Sequence, residues 1–151
     1  MKKILTNILL FLLLANCGFS PIYSLSDNQI INIQIQSIKG DRLINNQIVS
    51  KLNRISDNQS KNTFNIDINT IYNKIIYSKD STGATASSQL DVISEVTIGN
   101  KNNIEKITVT EKFIMDKNDN TIDEKNYERT IKKTFASTIA DQVILKFYLK
   151  K

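Results

Sequence analysis

Residues 90–115 read LDVISEVTIGNKNNIEKITVTEKFIM, and this stretch decides the fold because it holds two alternating segments around a polar turn. Apolar residues at every second position predict strands with one buried face. Residues 99–103 are rich in Gly and Asn, which favours a hairpin connection between the two strands. The residues expected on the buried face are Leu90, Val92, Val96, Ile98, Ile107, Val109, Phe113 and Met115.

Two more strands are predicted upstream of this hairpin. In the first, the isoleucines 31, 33 and 35 alternate with polar residues. The second begins at Thr63 and keeps the same alternation as far as Ile68. The apolar phase then changes near Thr70, and one extra residue in a strand swaps its two faces, so we expect a β-bulge there. The bulge would bring onto the buried face the residues Ile71, Ile75 and Tyr77.

Two helices complete the predicted fold. The first covers residues 41–56, with apolar residues at helical spacing and Asp41 as its N-cap. The second covers residues 123–149, where apolar residues from Tyr127 to Phe147 recur every four positions. Steps of four drift by about 40° each on a helix of 3.6 residues per turn, so part of this stripe is expected to leave the core. The order β-α-β-β-β-α predicts an α+β two-layer sandwich: a mostly antiparallel four-stranded sheet with both helices on one face.

The composition of the 151-residue chain excludes several classes of site. The chain has no His and one Cys, which excludes Ser-His-Asp relays, imidazole-ligated metals and Cys-rich metal sites. Acidic residues cluster between Asp116 and Glu124, but this segment lacks the central Gly and the spaced Glu of a calcium loop, so we interpret it as a solvated turn. We therefore predict no metal, no cofactor and no enzymatic activity.

The N-terminus is typical of a targeting segment. Lys2 and Lys3 precede an apolar run of about 11 residues, which is shorter than the roughly 20 residues that span a bilayer. The run ends in Leu-Ala-Asn-Cys, which resembles a bacterial lipobox with Cys17 as the lipid attachment site. We predict a lipoprotein signal peptide over 1–16, a lipidated Cys and tether over 17–29, and one α+β domain over 30–151. The alternatives are a cleaved signal followed by a chance Cys, or an uncleaved anchor.

Lipidation has consequences for location and charge. Two or three acyl chains give stable anchoring, and the absence of Asp after Cys17 favours the outer membrane. Removal of residues 1–16 lowers the net charge from +5 to +3, because Lys2 and Lys3 are lost. A mildly basic domain without a concentrated basic patch is not typical of nucleic-acid binding.

The segment after the signal peptide carries a family resemblance. Residues 17–23, CGFSPIY, are similar to the Cys-Gly-Phe-x-Pro-Leu-Tyr start of the alphaproteobacterial-type lipopolysaccharide-assembly lipoproteins, the LptE family. Residues 85–90, TASSQL, resemble a run in the hairpin between that family's second and third strands. The predicted order β-α-β-β-β-α is also that of the family.

The resemblance implies a specific role. Members of the family plug the outer-membrane β-barrel LptD, help it to fold, bind lipopolysaccharide and deliver it to the outer leaflet. It therefore implies a lipid-anchored protein of the outer membrane, facing the periplasm or lying inside the barrel lumen. It also implies lipopolysaccharide contacts near Lys79 and Lys125, which lie where the family's basic contacts occur.

The residues themselves suggest a second pair of lipopolysaccharide contacts. Lys106 and Lys112 alternate with threonines on the outward face of the last strand, which suits a phosphorylated amphiphile or an ordinary solvent-facing surface. Two rival functions remain open at this point. One is another outer-membrane interaction lipoprotein, either a secretion pilotin or an accessory of outer-membrane protein assembly. The other is an envelope hydrolase that uses a pair of carboxylates.

Overall fold

The protein is described by a computed structural model that covers residues 31–100 and 103–149. The predicted signal peptide (1–16) and the predicted tether with Cys17 (17–29) lie outside the described residues. The predicted order of elements is confirmed. The elements are β1 (Asn32–Gly40), α1 (Arg42–Asn53), β2 (Thr63–Lys79), β3 (Thr85–Asn100), β4 (Asn103–Asp116) and α2 (Thr121–Leu149).

The four strands form one sheet in the order β1-β2-β3-β4. β3 pairs antiparallel with both β2 and β4, as the hairpin turns predict. β1 pairs parallel with β2, so the sheet is mixed. Parallel neighbours need a crossover connection, and α1 supplies it between β1 and β2. The predicted α+β class with both helices against one face is therefore confirmed.

The predicted bulge at Thr70 is wrong. The β2–β3 register continues without a break through Thr70, which pairs with Ser94. Both residues are fully buried, and their hydroxyl oxygens lie 2.9 Å apart, so each satisfies the other inside the core. β2 therefore keeps its phase, and Ile71 and Ile75 lie on the face of the sheet opposite the helices. A register shift occurs further along, between Ile76 and Ser78, and Tyr77 at this shift is also exposed.

The junction between β1 and α1 depends on Gly40 and Asp41. Gly40 has φ +94°, and a Cβ atom there would lie 1.7 Å from the carbonyl oxygen of Thr70. The N–H of Asp41 donates to this same oxygen at 3.0 Å. The Asp41 carboxylate accepts a hydrogen bond of 3.0 Å from the N–H of Ile44, which confirms the predicted N-cap. β1 therefore ends at Gly40 and α1 begins at Arg42, with Asp41 between them.

Helix α2 ends at Leu149, as predicted, and begins at Thr121, two residues earlier than predicted. The side chain of Asn120 caps it by accepting from the N–H of Ile122 at 2.9 Å. The apolar stripe is buried from Ile131 to Phe147. Tyr127, the first member of the stripe, is 49% exposed and meets the ring of Phe113 edge-on, with 6.1 Å between centroids. The stripe thus leaves the core at its N-terminal end, as the drift of the four-residue step predicts.

The sheet is longer than the layer that backs it, and this divides the molecule into two halves. β1 ends where Gly40 pairs with Thr70, and α1 runs back from that point. The closed half comprises β1, α1, and residues 63–70, 94–100, 103–109 and 131–149. The open half comprises residues 71–79, 85–93, 110–116 and 121–130, where the start of α2 is the only described element that backs the sheet. Within the described part of the chain, no helix is both long enough and apolar enough to cross a membrane.

Candidate functional site: the uncovered face of the sheet

One face of the sheet packs against the helices, and no other described element covers the opposite face, which we call the uncovered face. Residues paired across neighbouring strands point to the same side of a sheet, so the register defines the rows of this surface. One row contains Ile71, Ile93 and Thr110. The next row contains Asn73, Asp91 and Lys112. The surface is therefore a mixture of apolar, amide and charged side chains.

In the closed half, the uncovered face carries a shallow polar groove of about 570 Å³. The amide of Gln36 donates to the side-chain oxygen of Asn65 at 3.0 Å. The hydroxyl of Ser37 donates to Asp67 at 2.6 Å. The amide, hydroxyl and carboxylate groups that line the groove suit a polar ligand or a polar protein surface. The lining residues are Gln34, Gln36, Thr63, Asn65, Asp67, Thr97, Gly99, Asn100 and Ile104.

Lys106 and Lys112 lie on the uncovered face, as their parity in the sequence predicts. Six residues separate them along β4, which is about 20 Å at the rise of a strand. The ammonium nitrogen of Lys106 lies 2.9 Å from a carboxylate oxygen of Glu95. Lys112 pairs across the strands with Asp91. Acidic residues on β3 therefore face both lysines, and the row is not purely cationic.

Lys79 and Lys125 lie at the far end of the open half. Lys79 is the last residue of β2, directly before the turn that leads into β3. Lys125 is exposed near the start of α2. The N–H of Lys117 donates to the carbonyl of Ala86 at 2.9 Å, so the exit from β4 lies beside the start of β3. The structure therefore does not gather the four predicted lysines into one cluster: Lys106 and Lys112 lie on the uncovered face, Lys79 ends β2, and Lys125 lies on α2 on the helix side.

The turn between β2 and β3 is organised by Asp80. Its carboxylate accepts from the hydroxyl of Thr82 at 2.6 Å, from the N–H of Thr82 at 2.8 Å and from the N–H of Ala84 at 3.0 Å. These hydrogen bonds, led by that of the Thr82 hydroxyl, hold the pKa of Asp80 below its usual range. Gly83 closes the turn with φ +83°. The position of Lys79 is therefore fixed by an ordered turn.

The open half of the uncovered face carries an apolar surface that sequence reasoning did not identify. Ile71 and Ile75 are 51% and 50% exposed, and Ile114 is 48% exposed. Ile93, the exception to the pattern of β3, pairs directly with Ile71. The sequence did contain a signal for this surface: two neighbouring strands each carry an isoleucine that is out of phase with the apolar alternation of its strand. The predicted bulge at Thr70 concealed it, because it assigned Ile71 and Ile75 to the core.

On the helix side, an ion-pair network lies at the boundary between the halves. The ammonium of Lys132 lies 2.8 Å from the Asp41 carboxylate and 3.7 Å from the centroid of the Tyr72 ring. The hydroxyl of Tyr72 donates to Glu128 at 2.9 Å. Lys74 contacts Glu124 at 2.9 Å and Glu128 at 3.1 Å. The network therefore joins β2, the start of α1 and the first half of α2.

The network shifts several pKa values. Burial of Tyr72, with the hydrogen bond to Glu128 and the nearby carboxylates, raises the pKa of its phenol well above the usual value. Burial alone would raise the pKa of Asp41, but the hydrogen bonds from Lys132 and Ile44 outweigh it, so that pKa lies below its usual range. The bond from Lys74 likewise lowers the pKa of Glu124. Because these groups satisfy one another, the network stabilises the fold and presents no free acid or base to a substrate.

The described residues contain no group of three or more His, Cys, Asp or Glu that could hold a metal ion. In the acidic segment before α2, the side chains of Asn118 and Asn120 instead accept backbone N–H groups at 2.9 Å. This is the geometry of a capped turn, as the sequence predicts.

Comparison with known proteins identifies the fold. No protein-family model matches the sequence, and no curated protein matches it. The crystal structure of the rare lipoprotein B from Shewanella oneidensis is similar, with a TM-score of 0.57 and 10% identity, over 76% of this chain and 94% of that chain. A candidate lipoprotein from Caulobacter crescentus is similar with a TM-score of 0.53 and 12% identity, over 76% of this chain and 86% of that chain. At these identities the likeness shows a shared fold.

Proposed function

We propose that this protein is a lipoprotein of the outer membrane, anchored through Cys17, that plugs and helps to assemble an LptD-type barrel delivering lipopolysaccharide to the outer leaflet. The carrying observation is the fold shared with rare lipoprotein B over 94% of that protein, in a chain whose Cys17 follows a lipobox-like sequence. Both similar structures are described as lipoproteins, rare lipoprotein B by its name and the Caulobacter protein as a candidate. The proposed role is non-enzymatic.

The uncovered face supports the plug role. The interior of an outer-membrane barrel is polar, so a plug needs a rigid domain with a polar outer surface. The groove between Gln34 and Asn100 presents amides, hydroxyls and one carboxylate on a stiff sheet. These groups suit hydrogen bonding to a polar lumen without requiring a matched charge on the barrel.

A direct contact with lipopolysaccharide is the finer part of the proposal. Phosphate groups are bound well by ammonium groups that have no competing carboxylate nearby. Among the described residues, Lys79, Lys112 and Lys125 have no ion-pair partner, whereas Lys106 contacts Glu95. We therefore expect Lys79 and Lys125, at the end of the open half, to contribute more to binding than Lys106.

The first test is depletion of the protein combined with purification of the tagged full chain from detergent-solubilised outer membranes. We expect lipopolysaccharide to accumulate on the periplasmic side, and one large β-barrel, the lipopolysaccharide translocon, to co-purify at near-equal stoichiometry. Normal lipopolysaccharide transport after depletion contradicts the proposal. Recovery of a secretin or of the outer-membrane protein insertion machinery would instead favour a pilotin or an assembly accessory.

The anchor is tested by the variant Cys17→Ser. We expect this change to abolish acylation and to move the protein from the membrane fraction to the soluble fraction, because acyl chains supply the attachment. The matched control is Ser24→Ala, which alters the same segment without touching the acylated thiol and should leave the protein in membranes. Absence of a palmitate label on the wild-type chain contradicts lipid anchoring, whereas retention of Cys17→Ser with residues 1–16 still attached would show the apolar run acting as an uncleaved anchor.

The lysine contacts are tested by binding of purified lipopolysaccharide to the full chain in detergent. The double variant Lys79→Gln with Lys125→Gln should weaken binding, since two ammonium groups near the phosphates are lost. The control is Lys61→Gln with Lys133→Gln, which removes the same charge from exposed positions outside the predicted contacts. Equal effects of the two double variants would show that only net charge matters.

A further inference from the structure

β2 is longer than the strand that pairs with its outer side. β1 accompanies it from Thr63 to Thr70, where Gly40 ends the pairing. β2 then continues to Lys79, paired with β3 alone. Among the described residues, 71–79 therefore have no strand neighbour on the side away from β3. Alternate backbone N–H and C=O groups on that side are available to another strand.

Among the described residues the sheet has three free edges, namely β1, β4 and the end of β2. The pairing of β1 is interrupted by a register shift between Ile35 and Ser37, and such bulges blunt an edge strand. Natural edge strands are usually blunted by charged side chains that disfavour pairing with another strand. β4 follows this rule on both of its faces, with Glu105, Lys106, Glu111, Lys112 and Asp116. The edge of β2 from Ile71 to Lys79 carries two lysines, and Lys74 is already held by Glu124 and Glu128. The edge of β2 is therefore less protected than that of β4, and no register shift interrupts it before Ile76.

The unprotected edge also has apolar side chains on both sides. Ile71 and Ile75 project from the uncovered face, and the surface continues across β3 to Ile93. Ile76 and Tyr77, at the far end of the edge, are each 57% exposed. A strand added here would gain backbone hydrogen bonds and would also bury exposed apolar side chains. In β-strand addition, the backbone hydrogen bonds supply affinity and the side-chain contacts supply specificity.

We propose that residues 71–79 bind an extended segment of another protein as a fifth strand of the sheet, and that this segment alternates apolar residues with acidic ones. The charge of the site favours this occupant. Lys79 lies at one end of the edge, and Lys39 and Arg42 lie at the other, where β1 gives way to α1. None of these three has an ion-pair partner among the described residues.

The same charges disfavour a second copy of this chain as the occupant. The segment 71–79 contains Lys74 and Lys79 and no acidic residue, so two copies would bring lysines together and offer them no carboxylate. The available edge accommodates about nine residues, which is roughly 30 Å of extended chain. The proposal does not depend on which barrel the protein serves, because it concerns only this edge and the chemistry of the strand that fits it.

The test uses the full chain in detergent and a fluorescent nine-residue peptide, Thr-Val-Glu-Val-Thr-Val-Glu-Val-Thr, read out by anisotropy and by amide hydrogen exchange. We expect binding together with slower exchange of residues 71–79. The same peptide with alternate backbone nitrogens methylated retains every side chain but cannot pair as a strand, so it should not bind. A peptide with Lys in place of Glu should bind at least about tenfold more weakly, since like charges repel.

Two matched variants locate the site on the protein. Ile75→Thr removes apolar surface from the edge without adding a charge and should weaken binding by about tenfold, because an apolar contact is lost. Ile104→Thr makes the same change at an exposed isoleucine of β4 and should leave binding unchanged. Circular dichroism confirms that both variants are folded, and the methylated peptide tests the unaltered protein in any case.

Several outcomes would overturn the proposal. Equal binding of the methylated peptide would show that no strand pairing occurs. Protection of residues 103–116 or 32–40 in place of 71–79 would move the site to β4 or β1. A concentration-dependent dimer that protects 71–79 without peptide would assign the edge to a second copy of the chain. Equal binding of the lysine peptide would remove the acidic character of the proposed partner.

Discussion

The closed and open halves share the strands β2, β3 and β4, yet isoleucines in the two halves differ in their exposure to solvent. In the closed half, Ile44, Ile48 and Ile66 are fully shielded from solvent. In the open half, Ile71, Ile75 and Ile76 are half exposed or more. What differs is the face, since Ile66 points toward the helices whereas Ile71 and Ile75 point to the uncovered face. Leu90 and Val92, which point toward the helices in the open half, are fully buried. The comparison teaches that an alternating apolar pattern defines a strand, whereas burial depends on what covers each face.

The largest effect is expected at the junction that ends the closed half. Gly40→Ala would place a Cβ atom 1.7 Å from the carbonyl oxygen of Thr70, at a φ of +94° that side chains rarely adopt. We expect a loss of at least about 3 kcal/mol in the free energy of unfolding, because backbone on both sides must move. Urea unfolding followed by circular dichroism measures it.

The control for this variant lies in the open half. Gly83 also has positive φ, at +83°, but no atom lies within 4 Å of a Cβ added there. Gly83→Ala should therefore cost only about 1 kcal/mol, the strain of the backbone conformation alone. If both alanine variants lose the same stability, close contact with Thr70 is not what makes Gly40 necessary.

The next effect compares isoleucines in the two halves. Ile48→Ala removes a fully buried side chain from α1 and should cost about 2–5 kcal/mol, since it loses apolar burial and leaves a cavity. Ile75→Ala removes a half-exposed side chain and should cost less than about 0.5 kcal/mol. Thermal and urea unfolding of the pair measure the difference. A large loss for Ile75→Ala would indicate that this side chain is buried against something on the uncovered face.

A smaller effect is expected from Asp41 at the boundary. Asp41→Asn keeps a good N-cap residue but loses the charge that pairs with Lys132, and should cost about 1 kcal/mol at neutral pH. The pKa of Asp41 is lowered on folding, so its contribution is present above the usual aspartate pKa and is lost as the pH falls through the folded-state value. The stability difference between wild type and variant should therefore shrink in acid.

Asp141→Asn is the matched control for the boundary variant. Asp141 pairs with Lys51 at 2.7 Å, but its side chain is 50% exposed. Water screens such a pair, so the change should cost less than about 0.5 kcal/mol. Unfolding curves at several pH values compare the two. A wild-type advantage over Asp41→Asn that persists unchanged in strong acid would contradict the assignment of the shifted pKa to this ion pair.

The smallest effect is expected on the uncovered face. Lys106→Gln breaks the ion pair with Glu95 in the closed half and should cost at most about 0.5 kcal/mol, because both side chains are solvated. Lys112→Gln, in the open half, breaks no ion pair within the described residues and should leave stability unchanged. Chemical unfolding in low and high salt detects the difference. A larger cost for Lys112 would show that its pairing with Asp91 forms a true salt bridge.

The order of elements and the N-cap of α1 were predictable because they depend on local sequence. Asp41 precedes an apolar period of helical spacing, and this signal suffices to start α1. The phase of β2 was not predictable in the same way. Thr70 and Ser94 occupy inward positions as polar residues, and their hydroxyl groups satisfy each other. A single strand does not reveal such a neighbour, so the polar residue was interpreted as a change of face.

The candidate site shows the same division between local and long-range information. The parity of β4 sufficed to place Lys106 and Lys112 on one face. Their acidic neighbours Glu95 and Asp91 depend on the register of β3 against β4, which alternation alone does not fix. The free edge of β2 was likewise hidden, because it follows from where β1 ends.

The parallel pairing of β1 has a consequence for the order in which the chain folds. β2, β3 and β4 are joined by short turns, so each can pair with its neighbour at a small cost in loop entropy. β1 instead pairs across the whole of α1, with Asn32 opposite Thr63. Contacts between nearby segments form faster than distant ones. We therefore expect the first strand to be synthesised to be the last to join the sheet.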